Sequence, residues 1–131
     1  MLNRPLNVLH LDDHRMIHIS LKNILKKQYP ELNFLNIPDG DTALRYVCKS
    51  VKNESPIDLV ISDINHPGLN GLSFIKAIRR HEMGKKLPVL FFTMMNNDET
   101  VKMIEQIPYS IHLSKSAEED EIIAAFSKLQ Y

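Results

Sequence analysis

Two kinds of segment alternate along this chain, and their alternation limits the folds that it can adopt more than any other feature. Segments of the first kind are short, apolar and rich in β-branched residues, and they predict five strands: residues 6–11, 32–37, 57–61, 88–92 and 109–113. The first, third and fourth segments are almost continuously hydrophobic, which indicates burial on both faces of a parallel sheet. The second and fifth segments are more mixed in polarity, which is typical of edge strands.

Segments of the second kind carry apolar residues at helical spacing, and they follow the strands. The five stripes are Ile17, Leu21, Ile24 and Leu25; Leu44, Val47, Cys48 and Val51; Phe74, Ile75 and Ile78; Val101, Met103 and Ile104; and Ile122, Ile123, Phe126 and Leu129. Asp98 stands where an N-cap of the fourth helix is expected. Five β-α units predict the α/β class, with a three-layer (βα)5 doubly wound parallel sheet of strand order 2-1-3-4-5.

Length and composition predict one soluble domain. The 131 residues suit a single unit, residues 1–131, with a core at about 6–129. The 16 Lys and Arg residues balance the 16 Asp and Glu residues, so the total charge does not call for a nucleic-acid or membrane partner. The sequence shows no secretory signal and no membrane-length apolar run, and Cys48 is the single cysteine. We therefore expect a cytoplasmic location.

Polar residues follow four of the predicted strands. Asp12 and Asp13 come after the first strand, Asp63 after the third, Thr93 after the fourth and Lys115 after the fifth. In the predicted strand order the carboxyl ends of these strands meet beside the switch point of the sheet, where ligands bind in doubly wound folds. The sequence therefore predicts one pocket that holds three carboxylates, a hydroxyl and an ammonium group.

This set of groups indicates phosphoryl chemistry with a divalent cation. Three neighbouring carboxylates repel one another unless a cation lies among them, and hard oxygen ligands suit Mg²⁺. Such a metal, together with Lys115, would neutralise the oxygens of an incoming phosphoryl group. Asp63 is then a candidate nucleophile, because carboxylates form aspartyl-phosphate intermediates.

The residues at these positions resemble the receiver domain of two-component response regulators over about residues 6–129. The run 8–14, Val-Leu-His-Leu-Asp-Asp-His, resembles the family's acidic pair after its first strand, and the run 58–71 resembles its phosphoacceptor segment. Thr93 follows Asp63 by 30 positions and Lys115 follows Thr93 by 22, and both gaps are typical of the family. The chain is thereby identified as a member of the CheY-like receivers, whose fold is flavodoxin-like.

The resemblance implies a phosphorylation-dependent signalling switch. Asp63 would accept a phosphoryl group from a sensor histidine kinase or a phosphotransfer protein. Asp13 would bind Mg²⁺, directly or through water, with support from Asp12, and Asp63 and the backbone carbonyl of Asn65 would complete the metal ligands. The resemblance implies no enzymatic activity beyond self-phosphorylation and dephosphorylation.

The resemblance also implies how the signal leaves the pocket. Thr93 would move toward the phosphoryl group and Lys115 would pair with it, which reshapes the face formed by the fourth helix, fifth strand and fifth helix. His112 stands where the family has a rotating Tyr or Phe. Met94 stands where a small residue is usual, and Asn65 and Met95, at the positions that influence water attack, include no acid or base. The resemblance therefore implies slow self-dephosphorylation. The partner at this face would be an attached output domain, a homodimer mate or another protein, and neither nucleic acid nor membrane.

Three other functions remain open from the residues alone. A phosphatase of the haloacid dehalogenase type needs a second Asp two positions after its nucleophile, where this chain has Asn65. A flavodoxin-like electron carrier needs a loop rich in hydroxyl groups and glycine after the first strand, where Asp12 and Asp13 would repel a phosphate. A receiver-like module that binds proteins independently of phosphorylation is the third alternative.

Two further pairs of residues have simple interpretations. His14 and His18 are four positions apart on the first predicted helix, a spacing that fits either a transition-metal pair or, more simply, a solvated face. Arg79 and Arg80 at the end of the third predicted helix are interpreted as exposed charges.

Overall fold

The computed structural model describes residues 5–52, 56–64, 70–81, 84–94 and 97–129. In these ranges the strands are β1 (Asn7–Leu11), β2 (Asn33–Ile37), β3 (Leu59–Ser62), β4 (Val89–Thr93) and β5 (Ser110–Ser114). The helices are α1 (Arg15–Gln28), α2 (Gly40–Lys52), α3 (Gly71–Arg79), α4 (Asp98–Glu105) and α5 (Glu119–Leu129). Strands and helices alternate throughout, as the two kinds of segment predict.

The strands form one parallel sheet in the order β2-β1-β3-β4-β5, which confirms the predicted topology. Every residue of β3 and β4 is buried, in agreement with the continuous hydrophobicity of these segments. Only Ile37 is buried in β2, and all five residues of β5 are partly exposed, so the two mixed segments are the edges. The sheet order brings the carboxyl ends of β1 and β3 side by side.

Two hydrophobic cores lie on opposite faces of this sheet. Side chains of α1 and α5 pack on one face with Val8 and Phe92, and side chains of α2, α3 and α4 pack on the other with Leu9 and Phe91. The alternation follows from the pleat, because successive side chains of a strand point to opposite faces. The side chain of Val51, predicted to belong to the α2 stripe, lies outside the described part of the chain. None of the described helices combines the length and the apolar character that crossing a bilayer requires.

The start of α4 differs from the prediction by one residue. Asn97 is the N-cap, and its side-chain oxygen accepts a hydrogen bond from the backbone N–H of Thr100. Asp98, which was predicted to cap the helix, is its first residue instead. Asn and Asp cap helices about equally well, so composition alone does not decide between neighbours. In its observed position Asp98 still stabilises α4, because a negative charge in the first turn favours the helix dipole.

Arg79 is a structural residue, and the prediction that it is an exposed charge is wrong. Its Nη1 donates to the carbonyl oxygens of Gly84, at 2.7 Å, and Leu87, at 2.8 Å, while its Nη2 donates to that of Pro108 at 2.8 Å. The guanidinium reaches them because the end of α3 packs beside the segments that precede β4 and β5. It holds the turn in which Tyr109 takes a left-handed backbone conformation, with φ of 58°, that is costly for a residue other than glycine.

Arg79→Lys should destabilise the fold, because a lysine cannot place donors on three carbonyl groups in the directions that the planar fork reaches. We expect the free energy of unfolding to fall by about 1–3 kcal/mol, mainly the cost of leaving the partly buried acceptors of Gly84 and Leu87 unpaired. Urea unfolding of the variant measures this loss. The matched control is Arg80→Lys, at an exposed neighbour, which should change stability little. Equal losses in the two variants would contradict this role of Arg79.

Candidate functional site

The site lies at the carboxyl edge of the sheet, where the ladder of backbone hydrogen bonds continues just past the strands. The backbone N–H of Asp63, directly after β3, donates to the carbonyl of Leu11 at the end of β1. The backbone N–H of Lys115, directly after β5, donates to the carbonyl of Thr93 at the end of β4. Each of these side chains therefore starts from a backbone position that the sheet itself holds.

Three charged side chains meet at this edge. The Nζ of Lys115 lies 2.6 Å from Oδ2 of Asp63 and 2.9 Å from Oδ2 of Asp12. The side chain of Lys115 is 4% exposed, that of Asp63 is 7% exposed and that of Asp12 is fully buried. Bulk water therefore screens these ion pairs little. With both carboxylates ionised, one ammonium leaves the cluster one unit negative.

The ion pairs shift the titration of their partners. Burial acts to lower the pKa of Lys115, but its hydrogen bonds to Asp63 and Asp12 outweigh burial and raise it. Burial acts to raise the pKa of Asp12, but the bonds from Lys115 and from the backbone of His14 hold it below its ordinary value. The charged forms of Lys115 and Asp12 therefore stabilise each other.

The backbone around Asp63 depends on a glycine. Oδ1 of Asp63 accepts a hydrogen bond from the backbone N–H of Ile64 at 2.7 Å, and the hydroxyl of Ser62 donates to the Asp63 carbonyl. Gly71, the first residue of α3, lies so close that a Cβ there would collide with the same carbonyl oxygen. Because Gly71 also donates its N–H to Ile64, the start of α3 packs directly against the segment that carries the carboxylate.

The ligand atoms closest to one another differ from the predicted set. Among the described residues, one ligand atom from each of Asp12, His14 and Asp63 lies within 4.8 Å of the others. Asp13, predicted to bind the metal, is outside this group; it is exposed, and its Oδ1 lies 3.4 Å from Nδ1 of His14. The Asp12 side chain is fully buried beside Lys115, whereas that of Asp13 is 36% exposed. Asn65, whose carbonyl was predicted as a ligand, lies outside the described residues.

Comparison with known proteins identifies this arrangement. The model of the response regulator receiver domain family matches residues 8–127. The chain belongs to the response regulator receiver domain family. Chemotaxis protein CheY-3 of Vibrio cholerae is 33% identical to it over 93 residues, which are 71% of this chain and 67% of that protein.

Solved structures share the fold of this receiver domain. The chemotaxis response regulator CheY4 of Vibrio cholerae matches with a TM-score of 0.79 at 22% identity, over 95% of this chain and 98% of that chain. The Mn²⁺-bound form of response regulator Rcp1 matches with a TM-score of 0.77 at 20% identity, over 96% of this chain and 90% of that chain. Both comparisons agree with the sheet order and helix placement described above.

The other predicted site residues lie on β4 and β5 or directly after β4. Thr93 is buried at the end of β4, and Met94 after it is 67% exposed. His112 is partly exposed and pairs in register with Phe91 near the middle of β5. The side chain of Met94 is thus largely exposed to solvent, and its effect on dephosphorylation stays a prediction, as does the switch role of His112.

A buried histidine behind Asp12 is the site residue that the sequence did not reveal. His10 on β1 is fully buried, and its Nε2 lies 3.7 Å from Oδ2 of Asp12. Its Nδ1 lies 3.0 Å from Nδ1 of His18 on α1, and both rings stack with Phe34 of β2. His18 is thus only partly exposed, because its ring packs against His10 and Phe34. The signal in the sequence was a histidine inside an otherwise apolar strand.

The environment of this pair keeps both rings neutral near neutral pH. Burial lowers the pKa of His10 to about 3, although the carboxylate of Asp12 acts in the opposite direction. Burial and the nearby ammonium of Lys22 lower the pKa of His18. Two neutral imidazoles 3.0 Å apart make one hydrogen bond, in which one Nδ1 donates and the other accepts.

Stability should fall as the pH drops below about 6.5, because the unfolded chain protonates His10 there while the native receiver domain keeps it neutral down to a pKa of about 3. Each pH unit in this window should cost up to about 1.4 kcal/mol of unfolding free energy through His10. Urea unfolding between about pH 6 and pH 4.5, above the main carboxylate range, measures the slope. His10→Gln should lower the slope and His81→Gln, at an exposed histidine, should not; an unchanged slope in His10→Gln would contradict the assignment.

Proposed function

We propose that this receiver domain is a phosphorylation-dependent switch of a two-component system, in which Asp63 accepts a phosphoryl group with Mg²⁺ as cofactor. The observation that carries the proposal is the contact of one ammonium, from Lys115, with both Asp63 and Asp12 at the carboxyl edge of the sheet. A nucleophilic carboxylate beside a fixed cation is what phosphoryl transfer needs, because most of the catalysis is positioning and charge neutralisation. Membership of the family supports the same assignment.

The donor in this proposal is the phosphohistidine of a sensor histidine kinase or a phosphotransfer protein. A carboxylate oxygen of Asp63 forms a bond to phosphorus while the phosphorus–nitrogen bond breaks, and the electron pair leaves with the imidazole, which takes up a proton. The product is an acyl phosphate on Asp63. Lys115 offsets the charge of the transferred group. The domain catalyses no reaction other than its own phosphorylation and dephosphorylation.

The residues present fit a magnesium ion. The carboxylates of Asp12 and Asp63 provide the hard oxygen ligands that Mg²⁺ prefers, and they carry more negative charge than Lys115 offsets. Asp12 and Asp63 would hold the ion, with His14 beside them and Asp13 reaching it through water. When bound, Mg²⁺ would supply charge neutralisation for the phosphoryl oxygens. The match to a response regulator crystallised with Mn²⁺ is consistent with such a site.

The output in this proposal is the face formed by α4, β5 and α5. Phosphorylation replaces the single negative charge of the Asp63 carboxylate with a phosphoryl group that carries about 1.5 to 2 negative charges, and its oxygens would attract the ammonium of Lys115 and the hydroxyl of Thr93. Because His112 lies near the middle of β5 and Lys115 directly follows this strand, their movement would change this face by shifting a pre-existing equilibrium. The partner would be an attached output domain, a homodimer mate or another protein, in the cytoplasm.

Intact mass after incubation with acetyl phosphate and Mg²⁺ tests the proposal. We expect the mass of one added phosphoryl group, because Asp63 is the acid that faces Lys115 from β3. The gain should disappear with Asp63→Asn or with a chelator. The matched control is Asp120→Asn, at an exposed acid in the first turn of α5, which should keep the gain. No gain in a wild-type domain that binds Mg²⁺ would contradict the proposal and favour the phosphorylation-independent interaction module.

A further inference from the structure

His10 is a buried polar side chain whose second nitrogen faces the metal-binding edge. Val8 and His10 point to the same face of β1, the face that α1 covers, so the ring lies between α1 and the sheet. Its Nδ1 contacts His18, and its Nε2 has no hydrogen-bond partner within bonding distance among the described residues. The nearest acceptor given for this nitrogen is Oδ2 of Asp12, at 3.7 Å.

The charge of Asp12 decides which tautomer these contacts favour. If Nδ1 of His10 carried the proton, its Nε2 would present a lone pair to a buried carboxylate oxygen, which is repulsive and weakly screened. If instead Nδ1 of His18 donates to Nδ1 of His10, then Nε2 of His10 carries the proton and directs it at Asp12. With the proton on Nε2 of His10, the two rings keep their hydrogen bond, and the Nε2–H group attracts the carboxylate of Asp12.

We propose that His10 is a positioning residue for Asp12: its Nε2–H, fixed by the hydrogen bond from His18, orients the carboxylate for the divalent cation. The inference rests on the proposed function, since it assigns a role toward the ion that Asp12 would hold. Groups that hydrogen-bond to a metal-ligating side chain commonly set the affinity of the site. The stack on Phe34 restricts the two imidazole rings, so the direction of the Nε2–H is set in advance.

The position of Lys115 explains when this donor matters most. Lys115 lies 2.9 Å from the same oxygen of Asp12 that His10 faces. A phosphoryl group on Asp63 attracts the ammonium, and Asp12 then loses part of its contact with Lys115. His10 is a second buried group near that oxygen, and an approach of its Nε2 by a few tenths of an ångström would make a hydrogen bond. His10 thereby keeps the carboxylate in place while Lys115 moves.

The first test observes the tautomers directly. Long-range proton–nitrogen correlation spectra of the metal-free domain at neutral pH should show His10 protonated on Nε2 and His18 protonated on Nδ1. The opposite tautomers would overturn the inference. This result does not depend on phosphorylation, so it stands apart from the test of the proposed function.

The second test measures Mg²⁺ affinity by titration calorimetry in variants of the same ring. His10→Leu removes the donor at similar volume and should weaken binding about tenfold. His10→Gln places an amide N–H near the position of Nε2 and should restore most of the affinity, which a purely packing role would not predict. His81→Leu, at an exposed histidine at the far end of α3, is the matched control and should bind as the wild type does.

The outcomes separate the inference from the proposed function. Equal affinity in the wild type and His10→Leu contradicts the positioning role and leaves the phosphorylated switch intact. A wild-type domain that binds no Mg²⁺ contradicts the proposed function and the role that rests on it. If His10→Leu does not fold, His10→Gln decides. A Mg²⁺ affinity of His10→Gln near that of the wild type, together with the Nε2–H tautomer in the wild type, supports the inference. A Mg²⁺ affinity about tenfold weaker than that of the wild type contradicts it.

Discussion

The ion pairs of Lys115 with Asp12 and Asp63 are the interaction on which the rest of this site depends. Two carboxylates that are almost fully buried would repel each other at this distance, and removing them from water costs several kcal/mol per ion unless a cation compensates. A single ammonium contacts both. Because one positive charge faces two negative ones, the cluster lowers the stability of the fold and favours binding of a divalent cation. The contact with Asp63 also holds Lys115 beside the carboxylate that would carry the phosphoryl group.

The sheet provides the precision that this charge cluster needs. Asp63 and Lys115 each extend the ladder by one residue, so their positions follow from strand order and register and not from loop conformation. Gly71 allows α3 to begin directly against the carbonyl of Asp63. The side-chain amide of Asn36 on β2 donates to the backbone carbonyl oxygens of His10 and Asp12. The function of the pocket is therefore tied to the stability of the sheet, while the helices supply the surfaces through which partners would sense it.

The sequence predicted the topology and most of the pocket because both follow from period and spacing. Buried parallel strands are continuously apolar, and polar residues directly after them stand out, as Asp63 and Lys115 do. Contacts that depend on rotamers were not predictable in the same way. Arg79 reaches three carbonyl groups from different segments, and His10 meets His18 across the interface between β1 and α1. His14, whose Nδ1 lies 3.0 Å from Oδ1 of Asp12, was not predicted at the site, because the direction of its side chain depends on how the chain turns after β1.

A double-mutant cycle on the charge cluster tests the central claim, that one ammonium offsets two buried carboxylates. The free energy of unfolding is measured in urea, without metal, for Lys115→Met in the wild-type background and in the Asp63→Asn background. In the wild-type background, Lys115→Met leaves both carboxylates uncompensated and should lower the free energy of unfolding by about 3–5 kcal/mol. In the Asp63→Asn background, where one carboxylate is already removed, the same substitution should cost less than half as much. If Lys115→Met costs the same in the two backgrounds within about 0.5 kcal/mol, then Lys115 and Asp63 are independent, which would contradict the account.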